Sequence, residues 1–172
     1  MNEGGVILYP TDTVWGIGCD ATNEEAVRRV YEIKKRADSK AMLVLVDSSV
    51  KVDFYVQDVP DVAWDLIEVA DKPLTIIYSG ARNLAPNLLA EDGSVGIRVT
   101  NEDFSRRLCQ QFRKAIVSTS ANVSGQPGAA NFSEIKSAVD YIVGFRQDDM
   151  NKPKPSSIIK LEKGGVIKII RE

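Results

Sequence analysis

The sequence predicts an α/β protein of the mixed α+β kind, a twisted sheet of parallel and antiparallel strands flanked by helices. Three observations lead there. Short apolar runs alternate with segments of helical periodicity over most of the chain. The run at 42–46 is apolar throughout, as a strand covered on both faces must be. The last two strand-like runs, 157–161 and 166–170, are joined by a short stretch holding Gly164-Gly165 and must pair as a hairpin, which a purely parallel sheet would not do. A length of 172 residues suits one domain over 1–172 with a sizeable core.

Each element has a local reason. Residues 5–9 read as a strand stopped by Pro10, whose ring cannot donate to a ladder. Thr11 to Gly18 is a loop with two threonines, an aspartate, a tryptophan and two glycines. Thr22 and Glu25 stand at capping-box spacing, and Ala26, Val27, Val30 and Ile33 continue at helical spacing to a basic end, Lys34-Lys35-Arg36. After the buried strand at 42–46 come an amphipathic helix over 62–69 and a strand over 74–78, introduced by Pro73. Residues 96–99 form a short strand carrying Arg98. Phe104, Leu108 and Phe112 mark a helix capped by Asn101 or a neighbour. Ala115-Ile116-Val117 is a further buried strand, Ser133 is placed to cap a helix through Tyr141, and the polar, proline-bearing stretch 148–155 reads as a mobile connection and a candidate lid.

The totals narrow the chemistry. The net charge of −2 gives no general reason to expect nucleic-acid binding. No apolar run is long enough to cross a bilayer, and the N-terminus lacks a signal-peptide layout, so a cytoplasmic location is expected. Two cysteines, Cys19 and Cys109, are too few for a disulfide framework or a structural zinc site and read as reduced packing residues. The absence of histidine removes the commonest general base and every Ser-His or Cys-His nucleophilic pair. Any chemistry must run on Lys, Arg, Ser, Thr, Asn and carboxylates, an inventory that suits phosphate handling.

Three places could carry such chemistry. Residues 118–128, Ser-Thr-Ser-Ala-Asn-Val-Ser-Gly-Gln-Pro-Gly, follow a buried strand and offer backbone N–H groups, hydroxyls and a carboxamide at close range. That is either a polar turn or a cradle for an anion. Lys34, Arg36 and Lys40 cluster where a helix gives way to a loop, either as solvated cations complementing the helix dipole or as a phosphate clamp. Arg98 lies in an otherwise apolar strand, so its charge must be paired with a buried carboxylate or aimed into a cavity at an anionic ligand.

Taken together, Pro10-Thr11-Asp12-Thr13-Val14-Trp15-Gly16, Lys34-x-Arg36, Gly96-x-Arg98-Val99 and Ser118-Thr119-Ser120-Ala121-Asn122-x-Ser124-Gly125 resemble the YrdC family, in order and over nearly the whole chain. The resemblance implies a twisted mixed sheet with a deep concave cavity. It also implies the activity of L-threonylcarbamoyladenylate synthases, which form threonylcarbamoyl-AMP and pyrophosphate from threonine, bicarbonate or CO2 and ATP, with Mg2+ on the triphosphate, for tRNA modification. Lys34, Arg36, Ser120 and Asn122 would then hold the phosphates and the reacting carbamate. Thr13, Arg98, Ser118 and Ser156 would meet threonine, with Arg98 on its carboxylate. Lys40, Ser94, Gly128 and Arg171 match nucleotide-side positions, together with Arg36 and Ser120. The implied partners are these small molecules and a downstream tRNA threonylcarbamoyltransferase complex, with weak RNA binding as a further possibility and no membrane. The sequence departs from the family pattern at Ala37, Ala41, Leu45, Thr100 and Ser157, and resembles the short form without a second domain. The alternative of a different class is a double-stranded RNA or tRNA-binding module of the same fold without synthase activity.

Overall fold

In the computed structural model the described residues are 1–35, 42–122, 132–145, 155–162 and 164–172, the side chains of 132 and 133 excepted. In chain order the elements are β1 (Ile7–Tyr9), β2 (Gly16–Gly18), α1 (Glu24–Lys34), β3 (Leu43–Val46), α2 (Val50–Tyr55), α3 (Val62–Val69), β4 (Leu74–Tyr78), a 3-10 turn (Pro86–Leu88), β5 (Val95–Val99), α4 (Asp103–Phe112), β6 (Ile116–Ser120), α5 (Phe132–Ala138), β7 (Tyr141–Ile142), β8 (Ser157–Leu161) and β9 (Ile167–Arg171). The strands form one sheet in the order β7-β1-β2-β6-β3-β5-β4-β8-β9. Parallel pairs (β1/β7, β3/β5, β4/β8) are mixed with antiparallel ones (β1/β2, β2/β6, β3/β6, β4/β5, β8/β9), as the interleaved pattern with its closing hairpin required.

Alternation along the strands divides the core in two. Val44 and Val46 of β3, Ile97 of β5 and Val117 of β6 join the larger cluster, which receives Ala26, Val27, Val30 and Tyr31 of α1, Val52 and Tyr55 of α2 and Ala63 of α3. Leu45 and Ile116 point the other way, into a smaller cluster with Ile7, Tyr9 and Cys109, against which Phe104, Leu108 and Phe112 of α4 pack. One face of the sheet is thus covered by several helices and the other mainly by α4. The uncovered part of that second face is where most of the candidate site residues gather.

Local details differ from the sequence expectations at the helix ends. Asn23, not Thr22, caps α1: its Oδ1 accepts from the Ala26 N–H at 3.1 Å, while the Thr22 hydroxyl is turned back to donate to Asp20 Oδ1 at 2.7 Å. Glu102 caps α4, its carboxylate accepting from the Phe104 and Ser105 N–H groups. α5 begins at Phe132, so Ser133 lies inside it, and it ends at Ala138 instead of reaching Tyr141. The chain is drawn away by β1: Asp140 accepts from the Val6 N–H at 2.7 Å, and β7 pairs Tyr141 and Ile142 with Ile7 and Leu8. At the closing hairpin Gly164 and Gly165 both take positive φ (83° and 79°), which is why glycines stand there.

Gly18 marks a close approach between strands. A Cβ at this position would lie 2.6 Å from both the Val117 carbonyl oxygen and Tyr9 Cε1, so only glycine lets β2 sit this tightly between β1 and β6.

Candidate functional site

The register places Arg98 beside Leu45, and Gly96 beside Leu43, which in turn faces Ser118 of β6. Gly96, Arg98 and Ser118 therefore share the face that α4 covers only in part, and together they border a cavity of about 380 Å3. Its walls take Thr13 and Gly16 from the β1–β2 segment, Ser118, Thr119 and Ser120 from β6, and Thr75 and Ile77 from β4. Ser94 and Arg98 contribute from β5 and the turn before it, and Pro155, Ser156 and Arg171 from the C-terminal hairpin. A volume of that size is in the range of small-ligand sites.

Most sequence-predicted residues converge there. Thr13, Ser94, Arg98, Ser118, Ser120, Ser156 and Arg171 all line the cavity. Lys34 and Asn122 stand next to it through Ser120. Arg36, Lys40 and Gly128, with most of the 118–128 loop and of the candidate lid, lie outside the described residues.

Lys34 closes the C-terminal end of α1 onto the end of β6. Its side chain is 1% exposed, and Nζ donates to the Ser120 carbonyl (2.5 Å), the Asn122 carbonyl (2.7 Å) and Asn122 Oδ1 (3.2 Å). The Ser120 hydroxyl donates to the same Oδ1 at 2.5 Å. The helix can turn away immediately afterwards because Lys35 adopts a left-handed conformation, its N–H returning to the Glu32 carbonyl. Of the two sequence readings of Lys34, burial excludes the solvated one. The ammonium is not a solvated helix end but a three-way fastening of the loop that follows β6.

Arg98 is 3% exposed, and the paired-carboxylate alternative is realised: Nη2 stands 2.9 Å from Asp12 Oδ1. Thr13 Oγ1 lies 3.4 Å from the same nitrogen, and Thr13 is braced in turn by Thr11, whose hydroxyl also donates to the Val14 carbonyl at 2.8 Å. Arg98 also borders the cavity. Burial pushes the Asp12 carboxyl up, opposed by Arg98, and pushes the Arg98 guanidinium down, opposed by Asp12. The Arg98 Nε–H is buried with no hydrogen-bond acceptor among the described residues.

On the opposite wall Thr75 and Ser156 share a buried hydroxyl–hydroxyl hydrogen bond of 2.9 Å. Arg171 holds the Ser156 carbonyl with Nε (3.0 Å) and Nη2 (2.7 Å). Thr75 and Asp12 are the residues that sequence reasoning left out of the site. A lone polar position in the apolar run 74–78 was the available signal for Thr75. Nothing in the sequence pairs Asp12 with Arg98. Burial pushes the Cys19 and Cys109 thiols up to about 12, in keeping with packing roles.

Fold and cavity together define a mixed-sheet α/β protein with a hydroxyl-rich cavity, bordered by Arg98 and Arg171, on the sparsely covered face of its sheet. The chain belongs to the Sua5/YciO/YrdC family, whose model, described as "Telomere recombination", matches residues 1–172. It is 35% identical over 173 residues to a threonylcarbamoyl-AMP synthase of Pseudoalteromonas translucida (strain TAC 125), covering 98% of this chain and 92% of that one. It is 31% identical over 176 residues to a threonylcarbamoyl-AMP synthase of Blochmanniella pennsylvanica (strain BPEN), covering 100% and 89%. Among solved structures, P. abyssi Sua5 complexed with L-threonine superposes with a TM-score of 0.82 at 22% identity, over 98% of this chain and 50% of that one. The chain thus spans about half the length of that Sua5. E. coli YciO superposes with a TM-score of 0.81 at 24% identity, over 99% and 84%. At these identities the superpositions establish the fold.

Proposed function

We propose that the protein is an L-threonylcarbamoyladenylate synthase, joining threonine, bicarbonate or CO2 and ATP into threonylcarbamoyl-AMP and pyrophosphate for tRNA modification. Relatives of that activity, at 31–35% identity over nearly the whole chain, support the reading. The observation that carries it in this chain is the cavity itself, where a buried arginine and hydroxyls from β4, β6 and the segments before β2, β5 and β8 face one space with no histidine or cysteine nucleophile.

The chemistry needs little more. The threonine amine adds to CO2 and loses a proton to give a carbamate. A carbamate oxygen then attacks the α-phosphorus in line, and pyrophosphate leaves with the electron pair of the broken P–O bond. No covalent enzyme intermediate is required, so the protein contributes position and charge neutralisation. In this reading Arg98 takes the threonine carboxylate, and Thr13, Ser118 and Ser156 surround the amino acid. Ser120 and Asn122, fixed by Lys34, present the β6 end to the carbamate and phosphates. Ser94 and Arg171 stand on the nucleotide side, with Arg36, Lys40 and Gly128 assigned there by the family pattern. The Mg2+ of this reaction would be carried by the triphosphate. The product adenylate would pass to a tRNA threonylcarbamoyltransferase in the cytoplasm.

The test is pyrophosphate release by purified protein with threonine and bicarbonate omitted in turn. Release that requires both is expected. Release that ignores threonine, or none at all, would defeat the assignment.

A further inference from the structure

We infer that Asp12 is a positioning residue for the amino-acid subsite: it holds the Arg98 guanidinium in the orientation that receives a carboxylate. The inference rests on the synthase reading, in which Arg98 meets threonine.

The geometry separates the two residues by role. Arg98 borders the 380 Å3 cavity, whereas Asp12 does not. Asp12 instead lines a smaller cavity of about 120 Å3 beside Ile97 and Val99, the residues of β5 that alternate away from Arg98. It therefore meets the guanidinium from outside that cavity, as an ion pair at 2.9 Å on Nη2 whose Oδ1 is not aligned for a hydrogen bond, while Thr13 Oγ1 accepts from the same nitrogen at 3.4 Å. An arginine has many rotamers, and its fork is useful only when held in plane with its ligand. Here the holding group comes from the β1–β2 segment, and Thr11 secures that segment through Thr13 and the Val14 carbonyl. With Nη2 so placed, the buried Nε–H is left without an acceptor among the described residues. Buried donors are rarely left unsatisfied. A carboxylate drawn under the Nε/Nη2 edge, which is closed to solvent in this structure, would satisfy it with the bidentate geometry that arginine favours.

A merely neutralising Asp12 predicts the opposite effect of mutation. If Asp12 only offset a buried charge, Asp12→Asn would leave Arg98 more strongly cationic and would tighten threonine binding. If Asp12 positions the fork, Asp12→Asn lets the guanidinium swing, and the threonine KM rises while the ATP KM does not. Loss of one charge-assisted contact corresponds to about a tenfold rise.

The experiment measures pyrophosphate release against threonine and against ATP for wild type, Asp12→Asn, Arg98→Lys and the double variant, with folding checked by the thermal transition. Expected are a rise of about tenfold or more in threonine KM for Asp12→Asn, an ATP KM within about twofold of wild type, and little further loss when Arg98→Lys has already removed the fork. An unchanged or lower threonine KM overturns the inference, as does a double variant in which the two losses multiply. Should Asp12→Asn not fold, Asp12→Glu, which keeps the charge but displaces it by a methylene, is expected to give the same split and is judged by the same criteria. A wild type that neither binds threonine by calorimetry nor needs it for turnover defeats the synthase reading and this inference together. A wild type that does both, beside an unaffected variant, defeats only the inference.

Discussion

Replacing Lys34 by methionine keeps the apolar stem and removes the ammonium that fastens Ser120 and Asn122. The three Nζ contacts, at 2.5, 2.7 and 3.2 Å, all end at the turn following β6. Hydrogen bonds from a charged group contribute roughly 1.5–3 kcal/mol each, less the cost of burying the ammonium, so a net loss of about 3 kcal/mol is reasonable. For a chain of this size that corresponds to a fall in Tm of about 6–12 °C. A basic residue at a helix end is ordinarily solvated and replaceable, but Lys34 is 1% exposed, so the fold feels its loss. Differential scanning calorimetry reads the shift, and pyrophosphate release reads the accompanying loss of activity. A Lys34→Met protein that melts within about 2 °C of wild type yet has lost turnover would refute the fastening argument and make Lys34 a direct ligand of the phosphates.

Gly18→Ala should destabilise strongly, because its Cβ would meet the Val117 carbonyl oxygen and Tyr9 Cε1 at 2.6 Å, whereas Gly16→Ala, with nothing nearer than 3.3 Å, should be milder. A cost of about 1–3 kcal/mol or more is expected for the former, read by urea denaturation, and equal midpoints for the two variants would contradict it. Burial pushes the Asp20 carboxyl up, but hydrogen bonds from Lys114 and Thr22 outweigh this and leave it below its ordinary value. Because the folded-state value is the lower one, the stabilisation is present above the ordinary aspartate range and fades as pH falls through the lowered value. Asp20→Asn should therefore be less stable than wild type near neutrality, by about 1 kcal/mol or less since Lys114 is half exposed, and the gap should close under acid. A gap that persists below pH ~2 would count against the ion pair as its source.

Much of the fold was legible because its signals are local. The limits of α3 and β4 follow from helical and strand periodicity, and the closing hairpin from its glycine pair. α2, β2 and β7 escaped because six, three and two residues carry too little pattern; β2 read as part of a loop over 11–18, and β7 exists only through its pairing with β1. In the site, Arg98 announced itself as a charge in an apolar strand, and Ser118 and Ser120 as hydroxyls at a strand end. The partners of those residues were not legible. That Asp12 would stand behind Arg98, and Lys34 behind Ser120, is decided by strand order, which brings together positions 86 residues apart in each case. Thr13 and Arg98 differ by 85 positions, and their meeting has the same origin.

The cavity draws on β4, β5, β6, the β1–β2 segment and the C-terminal hairpin, which lie in different places along the chain. No contiguous fragment contains it. A half-formed sheet therefore has no affinity for substrate, and whatever ligand occupies the cavity is bound only by the completed native state. Its binding free energy is then added in full to that of folding, as RT ln(1 + [L]/Kd). A cell rich in substrate would hold this protein further from unfolding, and from proteolysis, than one depleted of it.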